Sequence, residues 1–416
     1  MKKKVVLAYS GGLDTSVILK WLLERDFEVL AYIADVGQRE DLQAAREKAL
    51  SCGASAAFVE DLKGEFLNSY VFQALKAGAC YEGRYLLGTS LARPVIAKRQ
   101  IEIAQREDAG YVAHGATGKG NDQVRFELTY YTFCPAIKVI APWKDAEFLS
   151  QFKGRPDLLA YAKARQISVE SDGDKPPYSM DANLMHISYE GGILEGPNTP
   201  PPAEMFRMSV DPRRAPDRST RLAITFKNGV PLAVVNYDTG AKKHCALELF
   251  GYLNQIGGEN GVGRIDIVEN RYVGIKSRGV YESPAATILW AAHHDLEFLT
   301  LDRQMLRIKQ QLMPQFADAI YNGYWFSPEM ELLQAAINHT QRYVNGTVHL
   351  ELYKGNITIL GRESENSLYN PELASMDIAG GYDQKDAAGF IKVNSVRLCA
   401  FQKMKRSLEQ GGAADV

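Results

Sequence analysis

The chain has 416 residues, 46% apolar and 24% charged, which fits a folded globular protein of two or three domains. Forty-eight basic against fifty acidic side chains leave a net charge of −2, which excludes binding to DNA or an anionic membrane by bulk charge. Any anion must therefore be held by a local constellation. No apolar run approaches the ~18 residues that a membrane helix needs.

Five cysteines, at 52, 80, 134, 245 and 399, form no CxxC pair and point to a reducing, cytoplasmic setting without a zinc site. His293 and His294 are adjacent, a poor arrangement for a shared metal, because neighbouring helical residues face different ways. The basic start, Lys2 to Lys4, precedes too short an apolar run for a secretory leader, which needs about 7–15 residues.

In chain order, residues 5–9 are continuously apolar, as in a strand buried on both faces. A helix is predicted over 15–25, a strand over 27–34, a helix over 41–51 stopped by Gly53, and a strand over 55–59. A long helix over 90–108 places Pro94 near its first turn, and strands follow over 111–113 and 138–141. This alternation predicts a doubly wound parallel sheet, whose ligands sit outside the carboxyl ends of the strands. The loops after Tyr9, Ala34 and Ala113 are then the places for a site.

Glycine and proline cluster over 154–177 around a short helix at 158–165, and a domain boundary is expected there. Residues 196–219 read as a long surface loop. Asn228-Gly229 and Gly355-Asn356 each separate two apolar runs, a hairpin signal. Helical periodicity covers 246–256, 285–311, 328–342 and the tail from 387 to 408. The tail carries Val393, Val396, Ala400, Met404 and Leu408 at near-helical spacing, as a helix packed on its own domain or an arm onto another subunit would. The expected division is a nucleotide-binding domain over 1–167, an α+β substrate-binding domain over 168–365 and an oligomerisation tail over 366–416.

Ser10-Gly11-Gly12-Leu13-Asp14-Thr15-Ser16 stands directly between the first strand and the first helix. Two glycines let amides turn inward, three hydroxyls add donors, and the helix start aims further N–H groups at the same spot. This is a phosphate cradle. It lacks the GK[ST] ending of a Walker A loop and the spacing of a dinucleotide fingerprint. A glycine turn without ligand would not need the serines, threonine and aspartate around it. The helix end contributes only about 0.3–2 kcal/mol, so magnesium and further donors are expected with a triphosphate.

The stretch from Ala8 to Ser16 resembles the PP-loop of ATP pyrophosphatases, and the argininosuccinate synthase family in particular. So do YLLGTSLARP from Tyr85 and HGATGKGNDQVRFE from His114, with later blocks at 179–186, 263–271, 276–282 and 360–363. The resemblance covers nearly the whole chain. Two departures stand out: residues 168–175 do not align, and Ala182 occupies a position where an acidic residue is expected.

The resemblance implies ATP-driven joining of citrulline to aspartate through a citrullyl-adenylate, in a homotetramer, without a protein nucleophile. It implies ATP contacts at Ala8, Tyr9, Ser10, Gly11, Gly12, Leu13, Asp14, Thr15, Ser16, Ala34 and Gly115. For citrulline it implies Tyr85, Ser90, Asn121, Arg125, Ser179, Ser188, Glu269 and Tyr281, with Arg125 for the carboxylate and Glu269 for the ammonium. For aspartate it implies Thr117, Asn121 and Asp122. Charge alone adds Lys119 toward a phosphate and Arg93 toward a carboxylate, and Lys119 and Asp122 are the candidates for a direct part in the chemistry. The competing readings are another PP-loop enzyme, such as one that thiolates tRNA, and a non-catalytic nucleotide-binding protein. The first would want reactive cysteines and a basic face.

Overall fold

The run Val5–Val6–Leu7 is apolar throughout because both faces of its strand are covered: Val5 and Leu7 enter one buried cluster and Val6 another. That strand, β1 (Lys3–Ala8), is the centre of a five-stranded parallel sheet. α1 (Leu13–Leu23), β2 (Phe27–Asp35), α2 (Leu42–Ser51), β3 (Ala56–Asp61), α3 (Gly88–Arg106), β4 (Tyr111–Ala113), α4 (Asp122–Phe133) and β5 (Lys138–Ile140) follow. The strand order is β3-β2-β1-β4-β5. Winding goes outward in both directions from β1, so the loops after β1 and β4 diverge at a topological switch point. α1 and the helix α5 (Arg155–Ala164) cover one face, and α3 and α4 cover the other. This computed structural model describes residues 2–168, 177–377, 381 and 383–411. The unaligned residues 168–175, Ser168 apart, lie outside the described residues.

α3 begins two residues earlier than its apolar pattern suggests, which moves Pro94 from the first turn into the helix. Proline has no N–H to give the Ser90 carbonyl, so the backbone beside Ser90 lacks its usual helical bond. Asp41 caps α2 by accepting from the amides of Gln43 and Ala44, a contact of about 1 kcal/mol.

Beyond α5 come β6 (Ser179–Ala182), β7 (Ile187–Glu190), β8 (Thr220–Lys227), β9 (Val230–Asn236), β10 (Lys242–Lys243) and α6 (Ala246–Glu259). After these stand β11 (Arg264–Asn270), β12 (Lys276–Glu282), α7 (Pro284–Thr300), α8 (Arg303–Asn322), α9 (Pro328–Thr340), β13 (Gly346–Tyr353) and β14 (Asn356–Glu363). Two sheets result, β10-β9-β8-β13-β14 and β11-β12-β7-β6. The second was not anticipated: β6 and β7 have only four residues each, and β11 and β12 carry many polar and charged residues.

Asn228 and Gly229 both take positive φ, as the hairpin signal requires. In the second hairpin the positive φ values fall on Lys354 and Gly355, one residue earlier than expected. The single helix expected over 285–311 is two, because Asp302 accepts from the amides of Gln304 and Met305 and starts α8 afresh. Residues 196–219 are not a loose surface loop. Met205 is fully buried, and the amides of Arg207, Met208 and Ser209 donate to the buried carboxylate of Glu282.

The chain divides into two compact units, Met1–Asn366 and Ser367–Val416. The second unit carries α10 (Asp386–Gly411), which leaves Phe390, Ile391, Val393, Val396 and Phe401 exposed.

Candidate functional site

The bend after β1 is shaped by α2. Gly11 has φ +79°, and a Cβ there would lie 2.9 Å from the Ala45 Cβ, so only glycine fits without a shift. Lys48, one helical turn on, donates to the Gly11 carbonyl at 2.7 Å. Gly12 stands at the N-cap of α1, and no side chain caps that helix start. Ser10 Oγ and Thr15 Oγ1 are 3.1 Å apart. Ser16 Oγ donates to the Gly12 carbonyl at 2.7 Å and meets the Tyr9 hydroxyl at 2.9 Å. Burial pushes the Tyr9 hydroxyl up to about 12, so it stays protonated.

The loop after β4 joins this bend. A Cβ on Gly115 would lie 3.3 Å from Thr15 Cγ2 and 3.4 Å from Ile18 Cδ1. Ala34 is the penultimate residue of β2, the neighbour of β1, and its carbonyl accepts from Gln38 Nε2 at 2.5 Å. The residues expected around ATP thus lie at the carboxyl ends of three adjacent strands, β2, β1 and β4.

A second group gathers where α4 and α8 meet the unanticipated sheet. Glu269, on β11, is buried and accepts two hydroxyls: Tyr281 on Oε2 at 2.7 Å and Tyr321 on Oε1 at 2.5 Å. Burial, then the neighbouring charges and hydroxyls, raises both tyrosines well above the usual phenol range, so both remain donors. Tyr85 stacks on Tyr281 with ring centroids 4.3 Å apart. Arg125 donates from Nε to the Tyr321 carbonyl and from Nη1 to Asp122 Oδ1, each at 2.9 Å. Its Nη2 has no protein hydrogen bond among the described residues. Ser90 Oγ is buried without a well-formed hydrogen bond. Ser188 pairs with Tyr281 in register, and Ser179 pairs with Glu190 at the exposed end of the sheet.

Asp122 sits between two arginines, since Arg93 Nε donates to its other oxygen at 3.0 Å. Burial opposes the charge, but Arg93 and Arg125 overcome it and hold the carboxyl at about 2. A carboxylate so stabilised is a weak base near neutral pH and a good acceptor for an ammonium group. Arg93 is committed to protein carboxylates on both sides, because its Nη2 donates to Asp181 Oδ2 at 2.8 Å. Asp181 precedes Ala182, the departing position, and also accepts from Thr89. Thr117 and Lys119 are exposed on the loop between β4 and α4. Asn121, at its end, is buried and accepts the amide of Tyr272 at 3.0 Å.

Sequence reasoning missed Tyr321, Asp181, His186, Glu190 and Arg271. Tyr321 looks like an ordinary core aromatic of an amphipathic helix. His186 is fully buried against Tyr281 and Thr89, and burial with Arg93 nearby drops it to about 3, so it is neutral. The blocks 179–186 and 263–271 could have signalled Asp181, His186 and Arg271, and no signal pointed to Glu190.

Residues 4–168 match the family described as Arginosuccinate synthase N-terminal HUP domain, and residues 178–401 match the Arginosuccinate synthase C-terminal domain. The chain belongs to the argininosuccinate synthase family. An argininosuccinate synthase of Thermotoga maritima is 58% identical over 99% of this chain and 100% of its own length. Those of Danio rerio and Mus musculus are 56% and 54% identical, over 95% and 97% of this chain and 96% and 98% of theirs. With argininosuccinate synthase relatives along both halves, a tRNA-thiolating enzyme and a passive nucleotide binder are not favoured.

Proposed function

We infer that the chain is an AMP-forming ligase that joins L-citrulline to L-aspartate, giving argininosuccinate, AMP and pyrophosphate, a step of arginine biosynthesis. The observation that carries this from the geometry is the reach of one segment, residues 115–125. Gly115 packs on Thr15 in the phosphate bend, and Arg125 packs on Tyr321 and Asp122 in the acid–tyrosine cluster.

In the first step the ureido oxygen attacks the α-phosphorus, the bond to the bridging oxygen breaks, and pyrophosphate leaves. In the second, the amine of aspartate attacks the ureido carbon, the carbon–oxygen bond breaks, and AMP departs. Neither step asks for a protein nucleophile. Fixing the reactants in line supplies about 7–11 kcal/mol, and amides at the phosphates stabilise the developing charge.

We assign ATP to Ala8 through Ser16 with Ala34 and Gly115. The uncommitted Nη2 of Arg125 takes the citrulline carboxylate, and Glu269 its ammonium. Tyr85, Ser90, Asn121, Ser179, Ser188 and Tyr281 complete that subsite. Thr117, Asn121 and Asp122 take aspartate, with Asp122 on the amine, and Lys119 extends toward phosphate. Magnesium comes with the triphosphate. The hydroxyls of Ser10 and Thr15, 3.1 Å apart in the bend, would supply hard oxygens of the kind it takes.

A homotetramer is supported by the exposed apolar residues of α10. A cytoplasmic location is supported by five free cysteines. The division at 167 and 365 is supported by family matches that break between 168 and 178 and by a separate unit from Ser367. Product analysis tests the reaction: argininosuccinate, AMP and pyrophosphate form in equal amounts, whereas ADP with phosphate would reject it.

A further inference from the structure

The loop between β4 and α4 carries three glycines and little apolar anchorage, yet its carbonyls are gripped one after another. Gln123, on its own helix, donates to the carbonyls of Gly118 and Gly120 at 2.6 and 3.2 Å. The carbonyl between them, on Lys119, is taken from the other sheet: Arg271 donates to it from Nη1 at 3.2 Å. The second arm of the same guanidinium donates to Glu190 Oε2 at 2.5 Å. Arg271 begins the turn that joins β11 to β12, and the next amide, that of Tyr272, donates to Asn121 Oδ1. The guanidinium is mostly buried, with 18% of the side chain exposed, although it lies in a turn.

We propose that Arg271 is a positioning residue for aspartate, the amine nucleophile of the second step. Its forked contact fixes the Lys119 peptide, and with it Thr117 and Asn121, against the sheet that bears Ser188, Glu269 and Tyr281. This rests on the assignment of the loop to aspartate. Arginine suits the task because one planar group reaches two acceptors in fixed directions, which a lysine ammonium on a flexible stem does not reproduce. The grip acts on the second step more than the first, since Thr117 serves aspartate alone, whereas Asn121, shared with citrulline, is also held by the backbone amide of Tyr272.

The test separates the half-reactions in the full-length protein. Citrulline-dependent entry of labelled pyrophosphate into ATP reports the first, and aspartate-dependent release of AMP reports the second. Arg271→Met loses two charge-assisted contacts, and the aspartate KM rises about tenfold to a hundredfold. Exchange stays within about twofold of wild type, because the backbone amide of Tyr272 still holds Asn121, the one loop residue shared with citrulline. Arg271→Lys gives an intermediate KM, and Glu190→Gln shifts it in the same direction by less. An unchanged aspartate KM in Arg271→Met overturns the proposal. So does an equal fall in exchange and AMP release, which would make Arg271 a general prop of the fold. Thr117→Ala distinguishes the underlying assignment: if the loop does not bind aspartate, that variant also keeps the wild-type KM.

Discussion

Gly11→Ala perturbs the phosphate bend at the one place where both φ and space demand glycine. The φ of +79° costs an alanine about 1–2 kcal/mol. The new methyl meets the Ala45 Cβ at 2.9 Å, and Ala45 belongs to α2, whose Lys48 grips the same residue's carbonyl. Overpacking of this kind adds about 1–3 kcal/mol, so the fold loses about 2–5 kcal/mol in all. Relief of the clash must move the bend away from α2, and the amides at its tip move with it. Losing one charge-assisted hydrogen bond to phosphate, about 1.5–3 kcal/mol, weakens ATP roughly tenfold to a hundredfold. Gly12→Ala is the comparison. Its φ is −71°, and the nearest atom to a Cβ is Ser10 Oγ at 3.4 Å, so the fold tolerates it and only the nucleotide suffers. Equilibrium urea unfolding gives the first quantity and the ATP KM the second. Wild-type values of both in Gly11→Ala, or equal stability losses in the two variants, would refute the reasoning.

Asp122 gives a pH-dependent prediction. Its folded pKa of about 2 lies below the ordinary 3.8, so its stabilisation is complete above the ordinary value and disappears as pH falls to the folded one. The stability gap between wild type and Asp122→Asn therefore narrows by about 2 kcal/mol between about pH 4 and about pH 2. Urea titrations across that interval measure it, and a constant gap contradicts the two-arginine account. Lys309→Met strands the fully buried carboxylate of Glu297, which takes Lys309 Nζ at 2.8 Å and Gln341 Nε2 at 2.6 Å. The cost is about 3–5 kcal/mol, and Glu297→Gln in the same chain recovers much of it; denaturant midpoints check both. A chain ended before residue 387 lacks the exposed apolar helix and sediments as a lighter species, whereas an unchanged mass rejects that helix as the arm.

The parallel sheet was legible because strands buried on both faces, such as residues 5–7, announce themselves as unbroken apolar runs. The phosphate bend was legible for a different reason. Close backbone approach demands glycine, and donors demand hydroxyls, so Ser10 to Ser16 carry their chemistry in their letters. The opposite wall of the cleft was not legible from pattern. β12 reads KSRGVYE, where the face that meets the cleft is polar and the alternation of a half-buried strand is lost. Tyr321 and Arg271 act through contacts made by distant elements, which local spacing does not encode. Residues 196–219 misled for a similar reason: glycine and proline signal a turn-rich path, but not that three of its amides surround Glu282. The break at Asp302 was readable as an N-cap, and the apolar periodicity on both sides hid it.

With ATP held in the bend, the ureido oxygen of citrulline becomes the leaving group's oxygen. Citrulline labelled with heavy oxygen in its ureido group tests this most directly, by mass analysis of the phosphate products after one turnover with aspartate. One labelled oxygen is expected in AMP and none in pyrophosphate. Label in pyrophosphate, or released to water with unlabelled AMP, would contradict it.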